Sequence, residues 1–250
     1  MHDTRDILVI GLHQAAPGTG LAPEVLDFYA RERVQLLVLP EYFWVRPSDA
    51  NHAEAARHAA EDEAQLRTAS LHADWVLVGG TFVETRDGAL HNACTVWRGG
   101  REIARYRKRH LMPGEHKSGI VPGDAWVASD APGYRLAPIL CADVLQTGTF
   151  AEVGALAPQV IAAPMASPFL EGEPQENKLA RDRELFEAGA RRAGALVVKV
   201  GGPGPLFGRP LQGRCLVAGP EGVQFRTPFG DERAERRWVV RSTDPRARQT

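Results

Sequence analysis

"NACTVWRGGREIARY", residues 92–106, reads as two strands folded back on each other about Gly99-Gly100. Apolar, β-rich runs parted by a Gly-Gly pair signal a hairpin, because the favoured two-residue turns need positive φ. A hairpin makes its strands antiparallel. Upstream the pattern differs. "ILVIGL" (7–12) and "QLLVLP" (35–40) are buried strands by their unbroken apolar character, the second stopped by Pro40. Between them "APEVLDFYARERV" (22–34) places Val25, Leu26, Tyr29 and Val34 on or near one helical face. Strand-helix-strand units followed by a hairpin require mixed rather than purely parallel sheets, and the fold class is α/β.

Working outward, the alanine-rich run from Asn51 to Leu71 is helical by propensity, and "WVLVGGTFVE" (75–84) is the next strand. After a loop rich in Pro and Gly come "YRLAPILC" (134–141), a helix near 148–157, strand "QVIAAP" (159–164), a helix near 176–193, and strand "ALVVKVGG" (195–202). "GRCLVAGPEGVQF" (213–225) repeats the hairpin, and "RRWVVR" (236–241) closes a sheet. With no linker, repeat or low-complexity tract, one domain is expected over 1–250, with 242–250 a loose or partner-docking tail.

The 250 residues suffice for one core, burying roughly 70 to 75 % of the surface that the unfolded chain exposes. A composition of 44% hydrophobic and 24% charged residues is that of a globular protein. A formal net charge of -1 offers no broad attraction for nucleic acid or an anionic membrane. No apolar run approaches the ~20 residues of a spanning helix, and the polar start "MHDTRD" lacks the character of a leader. Three cysteines, Cys94, Cys141 and Cys215, are an odd number in a chain that needs no disulfide staples. A reducing, cytoplasmic location is the expectation.

Three polar residues share one structural situation, at or just beyond the end of an apolar strand. Glu41 follows "LLVLP", Lys108 follows "EIARYR", and Cys141 ends "APIL". Active-site clefts open at strand ends in α/β folds. Taken singly, Glu41 reads equally as a solvated loop carboxylate, Lys108 as part of the basic run "RYRKRH", and Cys141 as a core thiol. Together they fit one chemistry. A thiol is mostly protonated at neutral pH, so a nucleophilic cysteine needs a base or a nearby cation. A carboxylate supplies the first and a lysine the second. A histidine-dependent variant stays open through His110 and His116. Those at 52, 58 and 72 lack an i, i+4 ligand pair and read as solvated, which disfavours a metal-dependent hydrolase.

"LVLPEYF" around Glu41, "RYRKRHLMPGE" around Lys108 and "LCAD" around Cys141, in that order and at those spacings, resemble the nitrilase or carbon-nitrogen hydrolase superfamily. The resemblance spans roughly residues 7–240 and includes both hairpins. It implies a four-layer α-β-β-α sandwich and a cofactor-independent, metal-free Glu-Lys-Cys catalytic set. By motif, Glu41 is the general base, Lys108 the oxyanion stabiliser and Cys141 the nucleophile. Glu115 helps to position the lysine or substrate, and the backbone N–H of Ala142 is the second oxyanion donor. Asp143 matches an acidic position expected to bond backbone N–H groups in the turn. Met165 and Ser167, in "APMASPF", follow a strand and are candidates to line the acyl pocket.

Two departures from the family pattern stand out, one bearing on substrate and one on the local hydrogen-bond network and the subfamily. Ala142 stands where an aromatic residue is frequent, which leans toward amides rather than nitriles and leaves room beside the nucleophile. Arg192 and Ala193, in "AGARRAGALVVKVGG" (188–202), stand near positions where many members carry Glu and Asn. The resemblance implies an enzyme cleaving a small amide, with a homodimer or larger assembly as partner state. The alternatives are an N-carbamoyl hydrolase or nitrilase, an amine acyltransferase using the same thioester, and a non-catalytic binding protein of the same fold.

Overall fold

The computed structural model describes residues 7–243. The chain runs β1 (Ile7–Gln14), α1 (Pro23–Arg31), β2 (Leu36–Val38), α2 (His52–Ala55), α3 (Ala59–Ser70), β3 (Val76–Val78), β4 (Phe82–Arg86), β5 (Ala89–Arg98) and β6 (Arg101–Arg107). It continues with α4 (Pro113–Lys117), β7 (Ser129–Ala131), β8 (Tyr134–Pro138), α5 (Thr149–Gly154), β9 (Val160–Met165), α6 (Gln175–Arg181) and α7 (Ala188–Ala193). The last strands are β10 (Leu196–Gly201), β11 (Gly204–Leu206), β12 (Arg209–Leu211), β13 (Leu216–Gly219), β14 (Gly222–Arg226) and β15 (Arg236–Thr243). Ser242 and Thr243, expected in the tail, belong to β15; the rest of that segment, 244–250, lies outside the described residues.

Two sheets stack face to face. The first is ordered β15-β1-β2-β3-β5-β4, with β6 also on β5; the second is β14-β13-β10-β9-β8-β7. Alternation along each strand sorts the side chains into layers. Leu8, Ile10, Leu12, Leu36 and Val38 meet Leu136, Val160, Ala162, Val198 and Val217 between the sheets. The intervening residues point the other way. Leu37, Leu39 and Leu77 pack under Val25, Leu26 and Tyr29 of α1 and Leu66 of α3. Ile139, Ile161 and Val197 pack under Phe150 and Val153 of α5 and Phe186 and Ala190. The result is the four-layer α-β-β-α sandwich.

Parallel and antiparallel pairs mix in both sheets, as the hairpins require. β1, β2 and β3 are parallel, whereas β15 returns antiparallel against β1, pairing Thr243 with Ile7 and Arg236 with Gln14. The hairpin that opened the sequence is β5–β6, with Gly99 at φ 54° and Gly100 at φ 76°. Because β5 runs antiparallel to β3 and β6 antiparallel to β5, β6 points the same way as β2. Residues following β2 and β6 therefore emerge at one end of the sheet.

Three boundaries differ from expectation. "WVLVGGTFVE" is split into β3 and β4, which line one edge of β5 end to end. Gly80 breaks it: its φ is 64°, and a Cβ there would lie 2.3 Å from the Pro40 carbonyl oxygen. The backbone before Glu41 is thereby seated directly on the β3–β4 turn. The expected helix over 51–71 is broken by a 3-10 turn, Ala56–His58. Ala55 packs with Tyr42 and Val45, while Leu66 and Ala69 pack with Trp75 and Leu77. A straight helix cannot serve both apolar targets. Finally, α6 and α7 are joined through a π-helical turn, Asp182–Glu187, whose Asp182 carboxylate meets Arg214 at 2.5 Å, Arg226 at 3.0 Å and Lys199 at 3.3 Å.

Candidate active site

Glu41 stands three residues beyond β2, Lys108 directly beyond β6, and Cys141 three residues beyond β8. The lysine is the centre of the arrangement. Its Nζ donates to Glu41 Oε1 at 2.7 Å and to Glu115 Oε1 at 2.9 Å, and lies 2.8 Å from Glu115 Oε2. All three side chains are almost wholly removed from solvent. An uncompensated charge in such a place is costly, so the geometry holds only as a set.

The two carboxylates are made unequal by what surrounds them. Burial raises the Glu41 pKa; the Lys108 ammonium opposes that and the Glu115 charge adds to it, leaving Glu41 above its ordinary value. Burial pushes Glu115 up as well, but Lys108, the Tyr42 hydroxyl and the Met112 backbone N–H at 2.7 Å outweigh it, and its pKa is lowered. Asn92 Nδ2 donates to the same carboxylate at 3.0 Å. Burial works against the Lys108 ammonium, yet the facing carboxylates hold its pKa above the ordinary range. Glu115 is thus the fixed anion, Lys108 the fixed cation, and Glu41 the group poised to exchange a proton.

Cys141 begins a 3-10 turn, Cys141–Leu145, with φ at 31°, a left-handed value rare outside glycine. The half-buried thiol lies close enough to Glu41 for each to act on the other's pKa. Burial, and then the Glu41 charge, push its pKa up to about 12, against the opposing pull of Lys108 and of the Ala166 backbone N–H. A pKa so raised keeps the Cys141 thiol neutral near pH 7. Ala142 is the second residue of the turn, where an amide N–H has no carbonyl one turn behind it within the helix.

Asp143, fully buried, holds this turn in place. Its Oδ2 accepts from the Leu140 N–H at 2.7 Å and the Tyr106 hydroxyl at 2.7 Å. Its Oδ1 accepts from the His110 N–H at 3.0 Å and lies 3.0 Å from the His110 Nδ1. Asp143 therefore joins the nucleophile turn to the chain just after Lys108. His110 is engaged by that carboxylate, and His116 is exposed on α4. The acyl-pocket candidates part company. Met165 ends β9 inside the layer packed by Phe150 and Phe186, a core position that Cys141 borders. The Ser167 carbonyl accepts from the Gln212 N–H at 3.0 Å. The Ala142 side chain is buried. Arg192 reaches the Thr147 carbonyl at 3.4 Å on the surface, and the altered 188–202 segment leaves the Glu41, Lys108 and Glu115 contacts whole.

One expectation is corrected. His52 is buried rather than solvated, with its Nε2 3.2 Å from the Tyr42 hydroxyl, because α2 packs its inner face onto Tyr42. His58 and His72 do sit at the surface, beside Asp49 at 3.4 Å and Asp27 at 2.8 Å. Among the described residues, no group of three or more His, Cys, Asp or Glu side chains is arranged to hold a metal ion. Nor is any helix among them long and apolar enough to cross a membrane.

Sequence reasoning missed Asn92, Tyr42, Thr81 and Ala166. Asn92 Nδ2 also donates to Glu41 Oε1 at 2.9 Å, and its carbonyl receives the Lys108 N–H at 2.9 Å. An Asn inside an apolar strand is a legible signal, since strands are depleted in it. Tyr42, at φ 57°, is fixed by its own N–H donating to Thr81 Oγ1 at 2.7 Å. Nothing in the sequence marks Thr81 or Ala166.

Comparison with known proteins gives the family and the fold. A carbon-nitrogen hydrolase family model matches residues 12–223. Human Omega-amidase NIT2 is 29% identical over 126 residues, covering 46% of this chain and 45% of the relative, so the match spans about half the length of that curated protein. Among solved structures, a carbon-nitrogen hydrolase from Helicobacter pylori G27 superposes with a TM-score of 0.79 at 17% identity, over 94% of this chain and 89% of that one. A variant of the amidase from Nesterenkonia sp. AN1, with the acetamide moiety of fluoroacetamide covalently added at its active site cysteine, gives 0.80 at 20% identity, over 98% and 94%. At these identities the structural likeness shows the fold.

Proposed function

The chain belongs to the carbon-nitrogen hydrolase family, and from that premise we propose that it hydrolyses the C–N bond of a small amide through a thioester on Cys141. One observation carries the reading: an ammonium seated between two buried carboxylates of opposite pKa displacement, one of which is near enough to a cysteine in left-handed backbone to raise its thiol pKa.

Each group then has one task. Glu41 takes the thiol proton as sulfur attacks the carbonyl carbon, because a thiol displaced to about 12 does not ionise unaided at neutral pH. The Lys108 ammonium and the Ala142 N–H receive the developing oxyanion. Glu41 passes its proton to the departing nitrogen, the C–N bond breaks, and ammonia or an amine leaves a thioester behind. Water, deprotonated by Glu41, attacks that thioester; the C–S bond breaks, and the acid and the thiol are released. Glu115 stays ionised throughout and keeps Lys108 charged. The amidase named among the structural neighbours supports an amide over a nitrile.

The decisive measurement is ammonia release from a matched panel of amides, N-carbamoyl compounds and nitriles, with Cys141→Ala as the blank. Turnover of amides that vanishes in the variant is expected. Equal turnover by both proteins would remove Cys141 from the chemistry, and acyl product appearing only when an amine is added would assign transfer instead of hydrolysis.

A further inference from the structure

A cavity of about 550 Å³ opens on the outer face of the first sheet, where the end of β1 and the start of β15 meet the first turn of α1. Glu41, Lys108, Glu115 and Cys141 are not among its walls. His13 is. Its side chain shares the outer layer with Tyr29 and Phe43, 6.0 and 5.6 Å away between ring centres, and the residue is only 5% exposed.

The hydrogen bonds fix what this ring offers. The Tyr29 hydroxyl spends its proton on the Leu12 carbonyl at 3.0 Å, so the 3.4 Å contact with His13 Nδ1 is made by an Nδ1–H. That tautomer leaves Nε2 a bare acceptor, on the side of the ring turned away from Tyr29, with no partner among the described residues. Burial and the Arg237 charge lower the His13 pKa to about 3, so the acceptor persists at neutral pH. A buried polar atom without a partner is uncommon, and this one borders open space.

Most other polar side chains around the cavity are committed. Gln14 Nε2 donates to the Asp231 and Ala234 carbonyls, both at 2.8 Å. The Thr19 hydroxyl donates to the Ala16 carbonyl at 2.9 Å, Glu235 accepts from the Ala16 N–H at 3.0 Å, and Arg236 pairs with Asp231 at 2.6 Å. Two charges are left over. Arg237, opposite His13 in the β1–β15 register, lies 5.8 Å over the Phe28 ring and has no ion pair among the described residues. Glu24, in the first turn of α1, has none either. The cavity thus holds an unused acceptor, an unused cation and an unused anion, and their complement is a donor, an anion and a cation.

We propose that this cavity is a second small-molecule site that binds a zwitterion of the amino-acid class, its ammonium donating to His13 Nε2 and paired with Glu24, and its carboxylate paired with Arg237. One ammonium meets both the acceptor and the carboxylate, because it carries three donors and a full charge. The α1 N-terminus adds a donor for the ligand carboxylate: Ala22 supplies no side-chain cap and Pro23 no N–H, which leaves the Glu24 N–H first in line.

The test is calorimetric titration with three probes of one chain length, L-norleucine, hexanoate and hexylamine. L-Norleucine is expected to bind the wild type with a Kd of about 1 mM or below, and the two singly charged probes about tenfold more weakly. Arg237→Gln and Glu24→Gln, at the surface, and His13→Phe, which keeps an aromatic ring against Phe43, should each weaken L-norleucine about tenfold. Arg237→Gln should leave hexylamine unchanged, and Glu24→Gln should not weaken hexanoate. Protein alkylated at Cys141 with iodoacetamide, in which the sulfur displaces iodide, should bind L-norleucine as the unmodified protein does. Loss of binding on alkylation would place the probe in the catalytic site and overturn the proposal. So would the absence of saturable binding, hexanoate or hexylamine matching L-norleucine, or unchanged L-norleucine affinity in Arg237→Gln and Glu24→Gln. The two surface variants decide the outcome should His13→Phe fail to fold.

Discussion

Lys108→Ala is expected to lower kcat/KM by at least 10²- to 10³-fold and to destabilise the fold by about 3 to 5 kcal/mol, whereas Cys141→Ala removes activity alone. The activity loss follows from the oxyanion: one such donor contributes about 3 to 4 kcal/mol to the transition state. The stability loss follows from what the lysine leaves behind. Glu41 and Glu115 are both buried, and Asn92 Nδ2, 2.9 and 3.0 Å from their Oε1 atoms, places those oxygens side by side. Without the ammonium, two carboxylates share a site built for opposite charges, which is the expensive way to break a buried ion pair.

The pH dependence fixes the sign. In the wild type the Glu115 pKa is lowered, so its contribution to stability is present above the ordinary carboxylate value and is lost as pH falls. In Lys108→Ala the shared site raises carboxyl pKa values, so stability is present at low pH and lost as pH rises. The deficit relative to wild type should therefore widen between pH 5 and pH 8 in urea unfolding. A deficit that is constant with pH would mean that Lys108 stabilises by packing alone.

Glu41→Gln should keep the hydrogen bond to Lys108 through its amide oxygen and still lose about 10²- to 10⁴-fold in kcat/KM, the usual contribution of a positioned base. In the wild type, activity requires the Glu41 carboxylate, so kcat/KM falls as pH drops through a pKa raised above the ordinary 4.5. No alkaline fall is expected where an ordinary thiol titrates, because the Cys141 pKa lies near 12 and Lys108 stays charged. Glu41→Gln should lose the acid limb altogether. Survival of that limb in the variant would place the base elsewhere, with Glu115 the first candidate. The same change removes an anion that opposes thiol ionisation, so alkylation of Cys141 at high pH should become faster as catalysis becomes slower.

The layers were legible because periodicity is a local property. The unbroken apolar run 7–12 announces a buried strand, and Gly99-Gly100 announces a reversal, without knowledge of the rest of the chain. Glu41, Lys108 and Cys141 were legible for a related reason, since each follows a strand and carries its motif with it. Other features depend on contacts between distant segments. The break in the helix over 51–71 comes from two apolar targets that only the assembled sheet presents, and the same packing draws His52 inside. Thr81 acts through one side-chain oxygen on the backbone of Tyr42, 39 residues away. Ala166 acts through a backbone N–H that any residue supplies.

The left-handed backbone of Cys141 carries a conformational cost. A side chain with a Cβ is strained at φ 31°, and glycine is not. Drift toward Cys141→Gly would therefore trade reactivity for robustness: the glycine form loses the sulfur, yet its denaturation midpoint should match or exceed that of Cys141→Ala, the strained comparator lacking the same atom. In a lineage released from the need for turnover, this is the position where a sturdier, silent descendant would first become accessible.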